Sequence, residues 1–207
     1  MTPLRTQIVK PTDPDCLARA LKILHEGGLV AFPTDTVYGL GALALDGKAV
    51  ESIYLVKDRP IEKGIPVLLA EAQDMEQVGS NVPSMARKLA ARFWPGPLTL
   101  IIPKIPSLPD AVSATDTVAV RVPDHPLARA LLHSAGPLAV SSANLSGRNS
   151  PSTAEEVLTQ LNGRIKLIID GGKPSTGVAS TVVDCTGAKP ILMRPGPLTL
   201  EELEAVL

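Results

Sequence analysis

Apolar positions along this chain follow two periods, and the changes from one to the other mark its elements. Leu17, Ala20, Leu21 and Leu24 recur at helical spacing. Asp13-Pro14 before them predicts an N-cap and first helical residue, and Gly27-Gly28 after them predicts the stop. Leu29-Val30-Ala31-Phe32 is short and continuously apolar, the pattern of a buried strand. Lys48 to Lys57 predicts a second helix with Val50, Ile53 and Tyr54 inward, and Ile65 to Leu69 predicts another strand. Pro83 opens a third helix through Met85, Leu89 and Phe93, which Trp94-Pro95-Gly96-Pro97 breaks before the strand-like Leu98 to Ile102. The proline-dense segment 103–109 is expected as a surface loop.

From Asp116 to Val122 the alternation is strict, with Thr117, Ala119 and Arg121 on one face and Val118, Val120 and Val122 on the other. Asp124-His125-Pro126 starts a fourth helix, and Pro137 to Val140 is a strand. Ser152 and Glu155 are spaced as a capping box for a fifth helix. Ile165 to Asp170, Ser180 to Asp184 and Ile191 to Arg194 read as strands, and Thr199 with Glu202 caps a last short helix. No internal repeat or linker interrupts this order, so residues 1–207 are expected to form a single domain.

Polar residues gather where the elements end. Lys57, Arg59 and Lys63 lie where the second helix meets Pro60, free to close on an anion; Arg offers a planar fork and Lys a mobile point charge. Pro33 to Gly41 mixes Thr34, Asp35 and Thr36 with two glycines directly after a strand. It reads either as a ligand-binding turn at a strand end or as a tight connection capped by Asp35 and Thr36. Ser141-Ser142-Ala143-Asn144 follows another strand and offers hydroxyls, an amide and backbone donors. Arg121 in an apolar strand needs a counter-charge, which is either a carboxylate across the sheet or an anionic ligand. Thr117 joins Arg121 on its strand, and Ser180 with Arg194 completes the set.

Hydroxyls and cations at the loops of an aliphatic scaffold suit a nucleoside triphosphate. Neither a G-x-x-x-x-G-K-[ST] loop nor a G-x-G-x-x-G fingerprint is present, so such a site is neither a P-loop nor a Rossmann site. A serine hydrolase is disfavoured, because Ser141 and Ser142 lack the glycines of a nucleophile elbow. Net charge −1 supplies no global field toward nucleic acid or membrane, and aromatics at 2 % offer little base stacking, against an RNA-binding module. Cys16 and Cys185 lack metal spacing, and the histidines lack partner ligands, so no metal site is assigned. Without a membrane-length apolar run, the expectation is a soluble, cytoplasmic protein.

Pro33-Thr34-Asp35-Thr36-Val37-Tyr38-Gly39-Leu40-Gly41, Lys57-Asp58-Arg59-Pro60, Ala119-Val120-Arg121, Ser142-Ala143-Asn144-Leu145-Ser146-Gly147, Ser180 to Asp184 and Arg194-Pro195-Gly196 together resemble the YrdC/Sua5 family, in that family's order. The resemblance implies an α/β (α+β) fold, an open, twisted mixed β-sheet with surrounding helices and a central cationic cavity. It implies a nucleotidyltransferase that makes threonylcarbamoyl-AMP and pyrophosphate from L-threonine, bicarbonate and ATP, for the t6A modification of tRNA. Mg²⁺ would arrive with ATP, and a threonylcarbamoyl transferase complex would take the product; direct tRNA binding is left open.

Carried over by motif, Lys57 and Arg59 are the catalytic pair. Lys57, Arg59, Lys63, Thr117, Ser142, Asn144, Ser150 and Arg194 would hold ATP, and Thr34, Arg121 and Ser180 would hold threonine. Some relatives place a histidine near Leu68, which this chain lacks. The length fits the short, single-domain form of the family. A carbamoyl-adenylate enzyme with another acceptor, as in hydrogenase maturation, is the alternative; its zinc-finger cysteines are missing here.

Overall fold

The computed structural model describes residues 4–61 and 64–207. Among these residues, ten strands form one mixed sheet in the order β1 (Gln7–Val9), β8 (Leu167–Ile169), β2 (Val30–Pro33), β3 (Tyr38–Leu43), β7 (Leu138–Ser142), β4 (Val67–Leu68), β6 (Thr117–Arg121), β5 (Leu98–Pro103), β9 (Thr181–Asp184) and β10 (Ile191–Arg194). Six α-helices among the described residues surround it: α1 (Cys16–His25), α2 (Gly47–Lys57), α3 (Ser84–Phe93), α4 (Pro126–Ala135), α5 (Ala154–Leu161) and α6 (Leu200–Glu204).

The pattern reading places most of these elements and misplaces some edges. The stretch read as one turn through Gly41 is half strand: β3 starts at Tyr38 and pairs antiparallel with β2, from Val30 opposite Gly41 to Pro33 opposite Tyr38. Gly39 looks like turn chemistry but serves close packing, since a Cβ there would lie 2.5 Å from Val140 Cγ1. β4 is shorter than expected, and β1 and the 3₁₀ turn Ala72–Gln77 have no counterpart in the pattern. Helix α1 begins at Cys16, because Asp13 spends its carboxylate on the Lys10 amide in a preceding turn. Thr153, not Ser152, caps α5: its hydroxyl accepts from the Glu156 amide, while Glu156 reaches back to the Ser152 amide.

Two apolar clusters lie on opposite faces of the sheet. On one, α2, α3, α5 and α6 pack Ile53, Leu89, Val157 and Leu203 against strand residues running from Ala31 and Ile168 to Leu100 and Val183. On the other, α1 and α4 bring Ala20, Leu24, Leu131 and Leu132 onto Val9, Phe32, Leu138, Val140 and Ile169. This second cluster takes in no buried residue of β5, β6 or β9. Arg121 is aligned with Leu68 of β4, a member of the second cluster, so it points to that same face at the place where the helices stop. Thr99 follows by alternation, because Leu98, Leu100 and Ile102 are committed to the first cluster. The uncovered end of this face is the floor of the site.

Candidate active site

A cavity of about 220 Å³ opens there, walled by Thr34, Thr36, Arg59, Leu68, Thr99, Arg121, Ser141, Ser142, Ser150, Ser180 and Arg194 among others. It draws hydroxyls and guanidinium groups from seven separate chain segments, and among the described residues no carboxylate lines it.

The turn after β2 folds on its own hydroxyls. Thr34 Oγ1 donates to the Val37 carbonyl at 2.7 Å, accepts from the Thr36 amide at 3.2 Å and lies 3.0 Å from Thr36 Oγ1. Thr36 in turn accepts from Arg121 Nη1 at 2.9 Å. Arg121 Nε donates to the Gly96 carbonyl at 2.9 Å, and Nη2 donates to Asp35 Oδ1. The expected counter-charge of Arg121 is therefore present in the protein, supplied from the turn rather than from across the sheet, while the same guanidinium faces the cavity. Burial pulls the Arg121 pKa below the ordinary arginine value, Asp35 opposes this, and Arg194 adds to it.

On the far wall, Arg194 donates to the Ser180 carbonyl from Nε and Nη2, at 3.1 and 2.8 Å, and to Ser180 Oγ at 3.1 Å. Ser180 Oγ is 2.8 Å from Thr99 Oγ1, which ties the loop to the floor. Gly196 is required beside them: a Cβ there would sit 2.3 Å from the Thr181 amide nitrogen. Arg59 enters from beyond α2, where Asp58 takes a left-handed φ of 51° and turns the chain. Its Nη2 reaches the Gly64 carbonyl at 3.0 Å.

Of the residues expected from sequence, Thr34, Arg59, Arg121, Ser142, Ser150, Ser180 and Arg194 meet at this cavity. Lys57 does not line it. It is 1 % exposed, and its Nζ donates to the carbonyls of Ser142 and Asn144, so it braces the turn after β7 from behind. Burial, with Arg59 nearby, brings its ammonium pKa down to about 8. Asn144 also lies behind the wall: its amide donates to the carbonyls of Leu145 and Arg148, both at 2.8 Å. Thr117 sits in an adjoining recess of about 170 Å³ with Ile65, Val112 and Ala119, which shares Pro66 with the cavity. Lys63 lies outside the described residues.

Sequence reasoning placed Thr36 and Ser141 in its polar clusters without giving either a role, and it passed over Thr99. Thr99 had a signal, being the lone polar position in Leu98 to Ile102.

Fold and site together define an α/β protein in which hydroxyls and three guanidinium groups line a polar hollow on one face of a mixed sheet. The Sua5/YciO/YrdC family model, whose description reads telomere recombination, matches residues 22–196, and the chain belongs to that family. It is 46 % identical over 98 % of its length to a threonylcarbamoyl-AMP synthase of Bacillus subtilis, of which the match covers 59 %. It is 47 % identical over 91 % of its length to a threonylcarbamoyl-AMP synthase of Pyrococcus abyssi, of which the match covers 56 %. It superposes on the crystal structure of P. abyssi Sua5 complexed with L-threonine with a TM-score of 0.91, at 44 % identity, over 97 % of this chain and 60 % of that one. The chain thus spans a little over half the length of these relatives.

Proposed function

We propose that this chain is a nucleotidyltransferase that condenses L-threonine, bicarbonate and ATP into threonylcarbamoyl-AMP and pyrophosphate, in the cytoplasm, for the t6A modification of tRNA. The observation that carries this reading is the convergence of Arg59, Arg121 and Arg194 on one hollow without a carboxylate among the described residues that line it. The similarity to synthases of that name, and to a relative that binds L-threonine, supports it.

The chemistry explains such a lining. The threonine amine first condenses with bicarbonate, releasing water and leaving a carbamate. A carbamate oxygen then bonds to the α-phosphorus, the bond to the β-phosphate oxygen breaks, and pyrophosphate leaves with its electron pair. Threonine carboxylate, carbamate and triphosphate are all anions, so the site must suppress their mutual repulsion. Catalysis of this kind is mainly positioning and charge stabilisation.

In this reading Thr34, Arg121 and Ser180 take the amino acid, and Arg59, Arg194, Ser142 and Ser150 take the phosphates. At about 220 Å³ the hollow falls below the roughly 300–1,000 Å³ usual for ligand pockets, so the nucleoside end extends past Pro66 toward Thr117. Lys57 and Asn144 serve the nucleotide side by holding the Ser142 turn in place. Mg²⁺ enters as part of the Mg–ATP substrate, since hydroxyls and guanidinium groups without carboxylates make a poor cage for a hard cation. The unstable product then calls for a threonylcarbamoyl transferase as the receiving partner.

Pyrophosphate release, measured with ATP, L-threonine and bicarbonate present and then with each left out, tests the assignment. Release should require all three. Release that persists without L-threonine would refute it.

A further inference from the structure

Asp35 is absent from the cavity lining, yet it holds three of the segments that form it. Its side chain is 3 % exposed. Oδ1 accepts from Arg121 Nη2, and Oδ2 has no hydrogen-bond partner among the described residues. Its backbone carbonyl accepts from the Thr176 amide and the Thr176 hydroxyl, each at 2.9 Å, and from the Ser175 hydroxyl at 3.2 Å. Those two residues belong to the loop between β8 and β9 that delivers Ser180. The other bonds of the Arg121 fork go to neutral oxygens, Gly96 O and Thr36 Oγ1.

We propose that Asp35 is a positioning residue for the amino-acid side of the cavity: its carboxylate aims the Arg121 guanidinium and offsets part of its charge, while its carbonyl anchors the loop bearing Ser180. This rests on the reading of the cavity as an L-threonine site. A buried carboxylate with one oxygen unpartnered is costly, and it persists where the surroundings hold it for another purpose. Here the purpose is orientation. The fork has a planar geometry that matches a carboxylate only when its plane is fixed. An incoming substrate carboxylate is the second anion on Arg121, so Asp35 also keeps that attraction moderate enough for product to leave.

Two substitutions separate these roles, because both leave the backbone carbonyl in place. Asp35→Asn keeps an acceptor for Arg121 Nη2 without the negative charge. Asp35→Ala removes the acceptor. Steady-state pyrophosphate release should show Asp35→Ala raising the L-threonine KM at least tenfold with the ATP KM within twofold, and Asp35→Asn holding the L-threonine KM at or below the wild-type value. Side-chain ¹⁵N spectra should show rotation of the Arg121 Nη2 group hindered in wild type and Asp35→Asn, and faster in Asp35→Ala, with Nη1 held by Thr36 throughout.

An Asp35→Ala protein that keeps the wild-type L-threonine KM overturns the assignment. Equal rises in both KM values, the mark of general damage, also overturn it. If Asp35→Ala fails to fold, a folded Asp35→Asn with a tenfold weaker L-threonine KM does the same. A wild-type protein with no L-threonine dependence sinks the substrate reading instead, and the Arg121 spectra then decide the positioning: identical spectra in wild type and the folded variants overturn it.

Discussion

The two faces of the sheet are built alike at one end and differently at the other. One face is covered from Ala31 and Ile168 across to Val183, with Leu98, Leu100 and Ile102 of β5 sealed beneath helices. The other carries helices only as far as the β7 and β4 residues Val140 and Leu68, and there β6 and β5 present Arg121 and Thr99. A single strand therefore serves two ends, with Leu100 packed in the core and Thr99, its neighbour, facing the cavity. The lesson is that this site is the part of an ordinary two-sided core from which the second layer of helices is missing. Its polar groups are tolerated because they bond to one another, as Thr99 does to Ser180 and Arg121 to Asp35 and Thr36.

If the division is real, substitutions on the two faces must separate stability from activity. Leu100 is fully buried under the helices, so Leu100→Ala should cost about 2–5 kcal/mol of unfolding free energy. Chemical denaturation would read that loss, while turnover per folded molecule stays at the wild-type value. A large drop in turnover at unchanged stability would erase the distinction between the faces. Next in size, Arg59→Ala should lower kcat/KM for Mg–ATP by about 100-fold, equivalent to about 2.7 kcal/mol of transition-state stabilisation. Its unfolding midpoint should move little, because Arg59 enters from a loop and not from the sealed face. Wild-type kcat/KM in this variant would remove Arg59 from the phosphate assignment.

Most of this architecture is legible in the sequence, because periodicity reports burial and burial decides the elements. The strand Tyr38–Leu43 was hidden because Gly39 and Gly41 imitate turn chemistry, whereas their absent side chains make room for Val140 and Phe32. The three-residue β1 is too short for a period to show. At the site, residue types were legible and depth was not. Arg121 announced that it needed a counter-charge, but nothing local to it pointed to Asp35 in a distant turn. Lys57 and Arg59 are two residues apart and read as one clamp. At the end of α2, Lys57 turns into the protein while Arg59, past the left-handed Asp58, turns to the cavity.

Lys57 is the seam between the two faces, since it ends a helix of the sealed face and bonds to the carbonyls of the cavity wall. This makes the smallest effect the most discriminating. Its ammonium sits at about 8 in the folded protein against 10.5 for a free lysine. Below pH 8 both folded and unfolded chains carry the proton, and between pH 8 and about 10.5 the unfolded chain holds more of it. Stability from this group therefore rises with pH through that window and is lost as pH falls through 8, with a slope of at most about 1.4 kcal/mol per pH unit. Denaturation curves for wild type and Lys57→Met at pH 7, 8, 9 and 10 isolate the contribution by difference. The wild type should gain on the variant above pH 8. A constant difference would mean that the two carbonyls keep Lys57 charged throughout, so that the wall is braced by a permanent cation and not by a group that gives up its proton.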